Sequence, residues 1–110
     1  MDQIKAADTF KYMSENYNAA AAKGLNATFQ WELSGDEPGK WALQFVDGAC
    51  TLIEGGVEKP NVNFKLSSAD WLAITSGKLN PMNAFMTGKM KMDGDMGLAM
   101  KVQSLFPQPS

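Results

Sequence analysis

Histidine and arginine are absent from this 110-residue chain, and cysteine occurs once. Without an imidazole, the usual triads with a histidine base and histidine-containing zinc or iron sites cannot be assembled from it. A single cysteine excludes an intramolecular disulfide. Cys50 sits in a strand-like run, ACTLIEG, with no basic neighbour in sequence to lower its pKa, and reads as a buried structural thiol. All ten basic residues are Lys. The bidentate fork that favours phosphates and base edges is therefore missing, and with a net charge of -2 nucleic-acid binding is not expected. Long apolar runs are lacking too. Nothing approaches the run of about 18 apolar residues that marks a membrane span, and MDQIKAADTF lacks the apolar core of a secretion signal. The expectation is a soluble, cytoplasmic, non-enzymatic domain over residues 1–110, using no metal and no cofactor.

What is present is hydrophobic patterning, and it changes period along the chain. Ile4, Phe10, Met13 and Tyr17 fall near helical spacing, predicting a first helix of about five turns that ends at Gly24. From Ala27 the period becomes two: Ala27, Phe29, Trp31 and Leu33 share one face, Thr28, Gln30, Glu32 and Ser34 the polar one. SGDEPGK reads as a turn. Trp41, Leu43 and Phe45 form a second strand, Asp47-Gly48 signals a tight hairpin, residues 49–54 return, and Val62, Phe64 and Leu66 make a fourth strand. Ser67-Ser68-Ala69-Asp70 starts a helix through Trp71 and Ile74. Asn80-Pro81 starts another through Met82, Phe85 and Met86. Met90 and Met92 alternate with Lys89 and Lys91, and Asp95 caps a last helix that Pro107 stops. This order predicts an α+β fold, a mainly antiparallel sheet with helices over one face. Residues 107–110 read as a disordered tail.

Residues 96–106 carry more grease than one packing surface uses. At about 100° per residue, Met96, Leu98, Ala99, Met100, Val102, Leu105 and Phe106 sweep roughly 220° of the circumference, whereas a surface helix needs a stripe only somewhat wider than about 100°. The surplus must meet more protein, a partner or an apolar ligand. Six of the eight Met lie between positions 82 and 100, and flexible Met suits a surface that adapts to varied ligands, although it also fills ordinary cores. Other motifs have plain explanations. GDEPGK has too few residues before its Gly-Lys for a phosphate loop, and Trp41 stands where Ser or Thr must bind magnesium. Asp93-Gly94-Asp95 lacks the further ligands of a calcium loop and reads as a turn with a helix cap.

Charge is uneven: residues 1–58 hold four Lys against nine acids, and residues 59–110 six Lys against three. The second half reads as a solvated Lys face, with long-range attraction for anionic head groups as the alternative.

From Gly77 to Phe106, GKLNPMNAFMTGKMKMDGDMGLAMKVQSLF resembles the C-terminal half of the sterol carrier protein-2 lipid-transfer family. The likeness lies in Gly77, Leu79, Pro81, Ala84-Phe85, Gly88-Lys89-Met90, Gly94-Asp95 and Leu105; the segments around Trp31 and Trp41 and FKLSSADWLAITSG are similar too. It implies a twisted five-stranded sheet, helices on one side, an apolar tunnel between them, and non-catalytic binding and transfer of fatty acid, acyl-CoA, phospholipid or sterol. The lack of Arg, a departure from the family, leaves any CoA phosphates to Lys78, Lys89 or Lys101.

The expected ligand site has a sheet face of Trp31, Trp41, Leu43 and Leu66 and an opposing wall of Trp71, Phe85, Met86, Ala99, Val102, Leu105 and Phe106. Transient membrane contact and a monomer or weak dimer are expected. The rival expectations are an interaction or dimerisation module, and an accessory domain beside a lipid-metabolising enzyme.

Overall fold

Alternation of period two over five segments places one apolar row per strand on a common face, and that face organises the molecule. The structure, a computed structural model, describes residues 5–106, apart from the side chain of Gln103. Its elements are α1 (Ala6–Glu15), α2 (Ala19–Ala22), β1 (Ala27–Ser34), β2 (Gly39–Val46), β3 (Ala49–Glu54), β4 (Val62–Ser67), α3 (Ser68–Thr75), α4 (Pro81–Met86), β5 (Met90–Gly94) and α5 (Met96–Leu105). The strands form one sheet in the order β3-β2-β1-β4-β5. β1 and β4 are parallel, and every other neighbouring pair is antiparallel. The fold is α+β with a mostly antiparallel sheet. Ile4 and the expected tail, residues 107–110, lie outside the described residues.

Register brings Trp41, Trp31, Phe64 and Met92 side by side across four strands, and Leu33, Leu66 and Met90 into the next row. Side chains of like position on neighbouring strands share a face, so the helices meet a continuous apolar surface. Local signals set the turns. Asp47 (φ 51°) and Gly48 (φ 86°) both have positive φ, as a two-residue hairpin of the primed type requires. The Ser67 hydroxyl accepts from Asp70 N–H, Asn80 from Met82 and Asn83 N–H, and Asp95 from Leu98 N–H, capping α3, α4 and α5. At Gly94 (φ 109°) an added Cβ would strike the Asn61 carbonyl oxygen, so β5 and β4 approach there only because a side chain is missing.

Two expectations are corrected. The first helix is not continuous: it stops at Glu15, and a short α2 begins at Ala19 under an Asn18 cap. Asn16 N–H still makes the last helical bond, to Tyr12 O, and beyond it Tyr17 and Asn18 are held by tertiary hydrogen bonds. The Tyr17 hydroxyl donates to Gly48 O at 3.1 Å, its ring meets Phe45 edge-on, and Asn18 N–H donates to Leu105 O at 2.8 Å.

The polar row of β1 is also less open than alternation implies, since Thr28 and Gln30 are buried. Gln30 accepts from Val57 N–H at 2.6 Å and donates to Asn63, which donates to Glu32. Segment 55–61 thus covers part of the outer face. The SGDEPGK turn also ties the first helix down, since Glu37 Oε1 accepts from Ala6 N–H at 2.8 Å and so caps α1.

Candidate ligand cleft

Between the sheet and the helices the interior is packed in two ways. Toward α1, Phe10 is stacked between Trp71, with ring centroids 4.9 Å apart, and Trp41, at 5.0 Å. Trp31 adjoins Phe10 at 5.5 Å and lies over Phe64 at 5.1 Å. Trp71 Nε1 donates to the Thr9 hydroxyl at 2.7 Å, which donates to Ala6 O at 2.6 Å. Rings so close, with the indole N–H satisfied, leave this half filled.

Toward α4 and α5 the filling stops. A cavity of about 50 Å³ lies among Met13, Trp31, Phe64, Trp71, Ile74, Pro81, Met82, Met90, Met92, Ala99, Met100, Val102 and Phe106. It is the core of a cleft that encloses about 570 Å³ when counted out to solvent. Five of its lining residues are Met, a long flexible side chain that repacks at small cost. An apolar cavity of about 150 Å³ is what a benzene ring needs. The free core is a third of that, too small for a long guest with the side chains as they stand. The apolar tunnel expected between sheet and helices corresponds to this narrow cleft.

The eleven expected site residues divide by position. Trp31, Trp71, Ala99, Val102 and Phe106 line the cleft. Leu43, Leu66 and Leu105 are buried in the surrounding core without lining it, and Trp41 is drawn away by its stack on Phe10. Phe85 and Met86 point outward, 41% and 78% exposed, because Ala84 takes the buried position of α4. The expected surplus on α5 also separates: Ala99, Leu105 and Phe106 are buried, whereas Met96 and Met100 remain exposed. Sequence does not single out Met13 or Ile74 for the wall, whereas it places Phe64 on the sheet face and marks the Met cluster between positions 82 and 100 as suited to varied ligands, without assigning either to a wall. The alternation of Met90 and Met92 with Lys89 and Lys91 was the available signal.

No comparable chemistry lies elsewhere among the described residues. On the outer face Gln30, Glu32, Lys40, Val57 and Asn63 border a polar depression. Glu32 accepts from Asn63 and pairs with Lys40 at 3.1 Å and Lys65 at 3.7 Å, interactions that hold its carboxyl below the usual value. Its side chains satisfy one another. Burial pushes the Cys50 thiol up to about 11, a protonated and unreactive state at neutral pH. Among the described residues no group of three or more His, Cys, Asp or Glu is placed to hold a metal, and no helix is long and apolar enough to cross a membrane.

An apolar cleft between a five-stranded sheet and short helices is where comparison with known proteins becomes decisive. The model of the SCP-2 sterol transfer family matches residues 7–107. The chain belongs to the SCP-2 sterol transfer family. It is 35% identical over 113 residues to hydroxysteroid dehydrogenase-like protein 2 of Xenopus tropicalis, covering 97% of this chain and 26% of that protein. It is 32% identical over 114 residues to human sterol carrier protein 2, covering 98% of this chain and 21% of that protein. The chain thus spans about a quarter or less of the curated relatives it matches.

Among solved structures, the sec-alkylsulfatase Pisa1 from Pseudomonas sp. superposes with a TM-score of 0.78 at 24% identity, over 96% of this chain and 17% of that one. Palmitated SCP2L2 from Aedes aegypti gives 0.74 at 19% identity, over 90% and 91%. These last two establish the fold. Membership identifies the domain as one of a lipid-binding, generally non-catalytic family.

Proposed function

We propose that residues 1–110 act as one domain that binds an acyl chain, as fatty acid, acyl-CoA or phospholipid, in the methionine-walled cleft and passes it between membranes without chemistry. The observation that carries this is a cavity lined almost wholly by apolar side chains and flanked by exposed methionines that can move aside. Each buried methylene contributes roughly 0.8 kcal/mol before ordering costs, so a long chain binds without help from its head group. Head-group selectivity is accordingly low. A chain enters one methylene at a time as successive Met side chains yield, whereas a rigid sterol needs its whole volume at once. Acyl chains are therefore the preferred cargo and sterols the weaker one.

The site takes Trp31, Phe64, Met90 and Met92 as floor and Ala99, Met100, Val102 and Phe106 as roof. The palmitated Aedes aegypti protein, of the same fold, supports the choice of cargo. The domain works in the cytoplasm as a monomer or weak dimer. Titrating delipidated protein with a fluorescent fatty acid is expected to give saturable one-to-one binding, with a fluorescent sterol weaker. Absence of saturable fatty-acid binding overturns the proposal.

A second reading, an accessory domain serving a lipid-metabolising enzyme, is favoured by relatives and neighbours in which the matched region is part of a much longer chain. It requires stable co-purification with such an enzyme from the native source. A dimerisation module instead requires a tight dimer that binds no lipid, which sedimentation reads directly.

A further inference from the structure

Among the described residues the methionines divide by exposure and, separately, by whether they border the cleft. Met82 (36%), Met86, Met96 and Met100 (47%) are exposed, whereas Met13 and Met90 are buried and Met92 is half-buried. Met13, Met82, Met90, Met92 and Met100 line the cleft; Met86 and Met96 do not. Of these seven, Met82 and Met100 alone have both properties. They stand on α4 and α5, and each borders the apolar interior while also meeting water.

The chemistry open to a side chain so placed is oxidation. A thioether has no proton to lose, so its reaction with a peroxide follows access, and the sulfoxide formed is polar where the parent was apolar. The one thiol does not compete, since Cys50 is half-buried and, with its pKa pushed up to about 11, protonated at neutral pH.

We propose that Met82 and Met100 form a reversible oxidation site through which hydrogen peroxide closes the cleft to acyl chains. The effect on cargo rests on the lipid-cleft reading; the order of oxidation does not. At each residue a sulfur lone pair takes one peroxide oxygen: an S–O bond forms, the O–O bond breaks, sulfur gives up two electrons and the rest of the peroxide leaves as water. Two thiols of a sulfoxide reductase system reverse the change, becoming a disulfide and releasing the oxygen as water. The cleft lining holds no hydroxyl, carboxamide or charged side chain. A sulfoxide turned inward is therefore buried with little to bond it, and one turned outward no longer serves as wall. Either way the hold on an acyl chain weakens. Met90 borders the same cavity from the sheet and is shielded by its burial. Oxidation of Met86 and Met96 alters only the outer surface, so these two are controls within the same molecule.

The test treats delipidated protein with hydrogen peroxide, maps the added oxygen by peptide mass spectrometry, and titrates a fluorescent fatty acid before and after. Met82, Met86, Met96 and Met100 are expected to oxidise ahead of Met13 and Met90, and affinity is expected to fall about tenfold. Methionine sulfoxide reductases of both epimer specificities, with dithiothreitol, are expected to restore it. In M82L/M100L, whose side chains are of similar volume, peroxide is expected to leave the variant's own affinity unchanged although Met86 and Met96 still oxidise. In M86L/M96L the tenfold loss is expected to remain.

Undiminished affinity in parent protein carrying sulfoxide at both Met82 and Met100 overturns the proposal, as does an equal loss in M82L/M100L. So does oxidation of Met13 or Met90 ahead of Met82 and Met100. A collapse of helical circular dichroism on treatment assigns the loss to unfolding and also overturns it. Untreated protein that binds no fatty acid defeats the cleft reading and the effect on cargo with it, while the order of oxidation still decides whether the site exists.

Discussion

The aromatic half beneath α1 and the methionine half beneath α4 and α5 share one sheet face and one row of residues, yet they are built for opposite ends. Trp41, Trp31 and Phe64 run along that row until Met92 takes the next position on β5. Rigid rings fit in few ways, and Phe10 between two indoles leaves no slack. Methionines fit in many ways, and here they surround a small void and extend to solvent. Stability concentrates in the half that cannot adapt. Under the proposed function, accommodation of a ligand falls to the half that can.

That contrast can be broken most severely at Phe10. Replacing it with Ala removes the ring joining α1 to the sheet and is expected to cost about 3–5 kcal/mol by chemical denaturation. The matching change across the row, Met92→Ala, is expected to cost about 1 to 2 kcal/mol, because Met92 is half-buried beside an existing void. Equal losses would refute the division of labour.

Filling the void sharpens the comparison from the other side. Ala99→Phe is expected to weaken fatty-acid binding by about tenfold in titration while changing stability by no more than about 1 kcal/mol. A loss of stability comparable to that at Phe10 would mean the region is already solidly packed.

Much of the architecture is legible in the sequence because its signals are local. Strands announce themselves through period two, and Asp47-Gly48, Ser67 to Asp70 and Asn80-Pro81 specify their turns and caps without distant help. The break between α1 and α2 is not local. Nothing near Tyr17 says that its hydroxyl will find Gly48 or that the next peptide will find Leu105. The cleft is legible only as an excess of apolar surface on α5. Which residues border it depends on how closely short helices approach the sheet. Periodicity assigns Phe85 inward, but a six-residue α4 buries Ala84 and turns Phe85 and Met86 out. Trp41, correctly on the inner face, is taken up by Phe10.

Two smaller effects belong to groups outside both halves. With its pKa raised to about 11 by burial, Cys50 is expected to react slowly with a disulfide reagent at pH 7, the rate climbing steadily as pH rises through 9 toward 11. A fast reaction at neutral pH would place the thiol at the surface. Glu32 has a folded pKa lowered from 4.5 by Asn63 and Lys40. Its stabilising contribution is therefore present above pH 4.5 and lost as pH falls through the lower folded value. Glu32→Gln is expected to flatten the acid limb of the stability profile slightly, an exposed ion pair contributing little. An unchanged acid limb would mean the pairs do not persist in solution.

The central claim is that methionine side chains yield to admit an acyl chain while the aromatic stack stays in place. Methyl-labelled methionine NMR during a palmitate titration tests it most directly. The Met90, Met92 and Met100 signals are expected to shift and saturate at one equivalent, with the indole N–H signal of Trp41, stacked on Phe10 and outside the cleft lining, remaining in place. Methionine signals that stay fixed while palmitate binds would contradict the account.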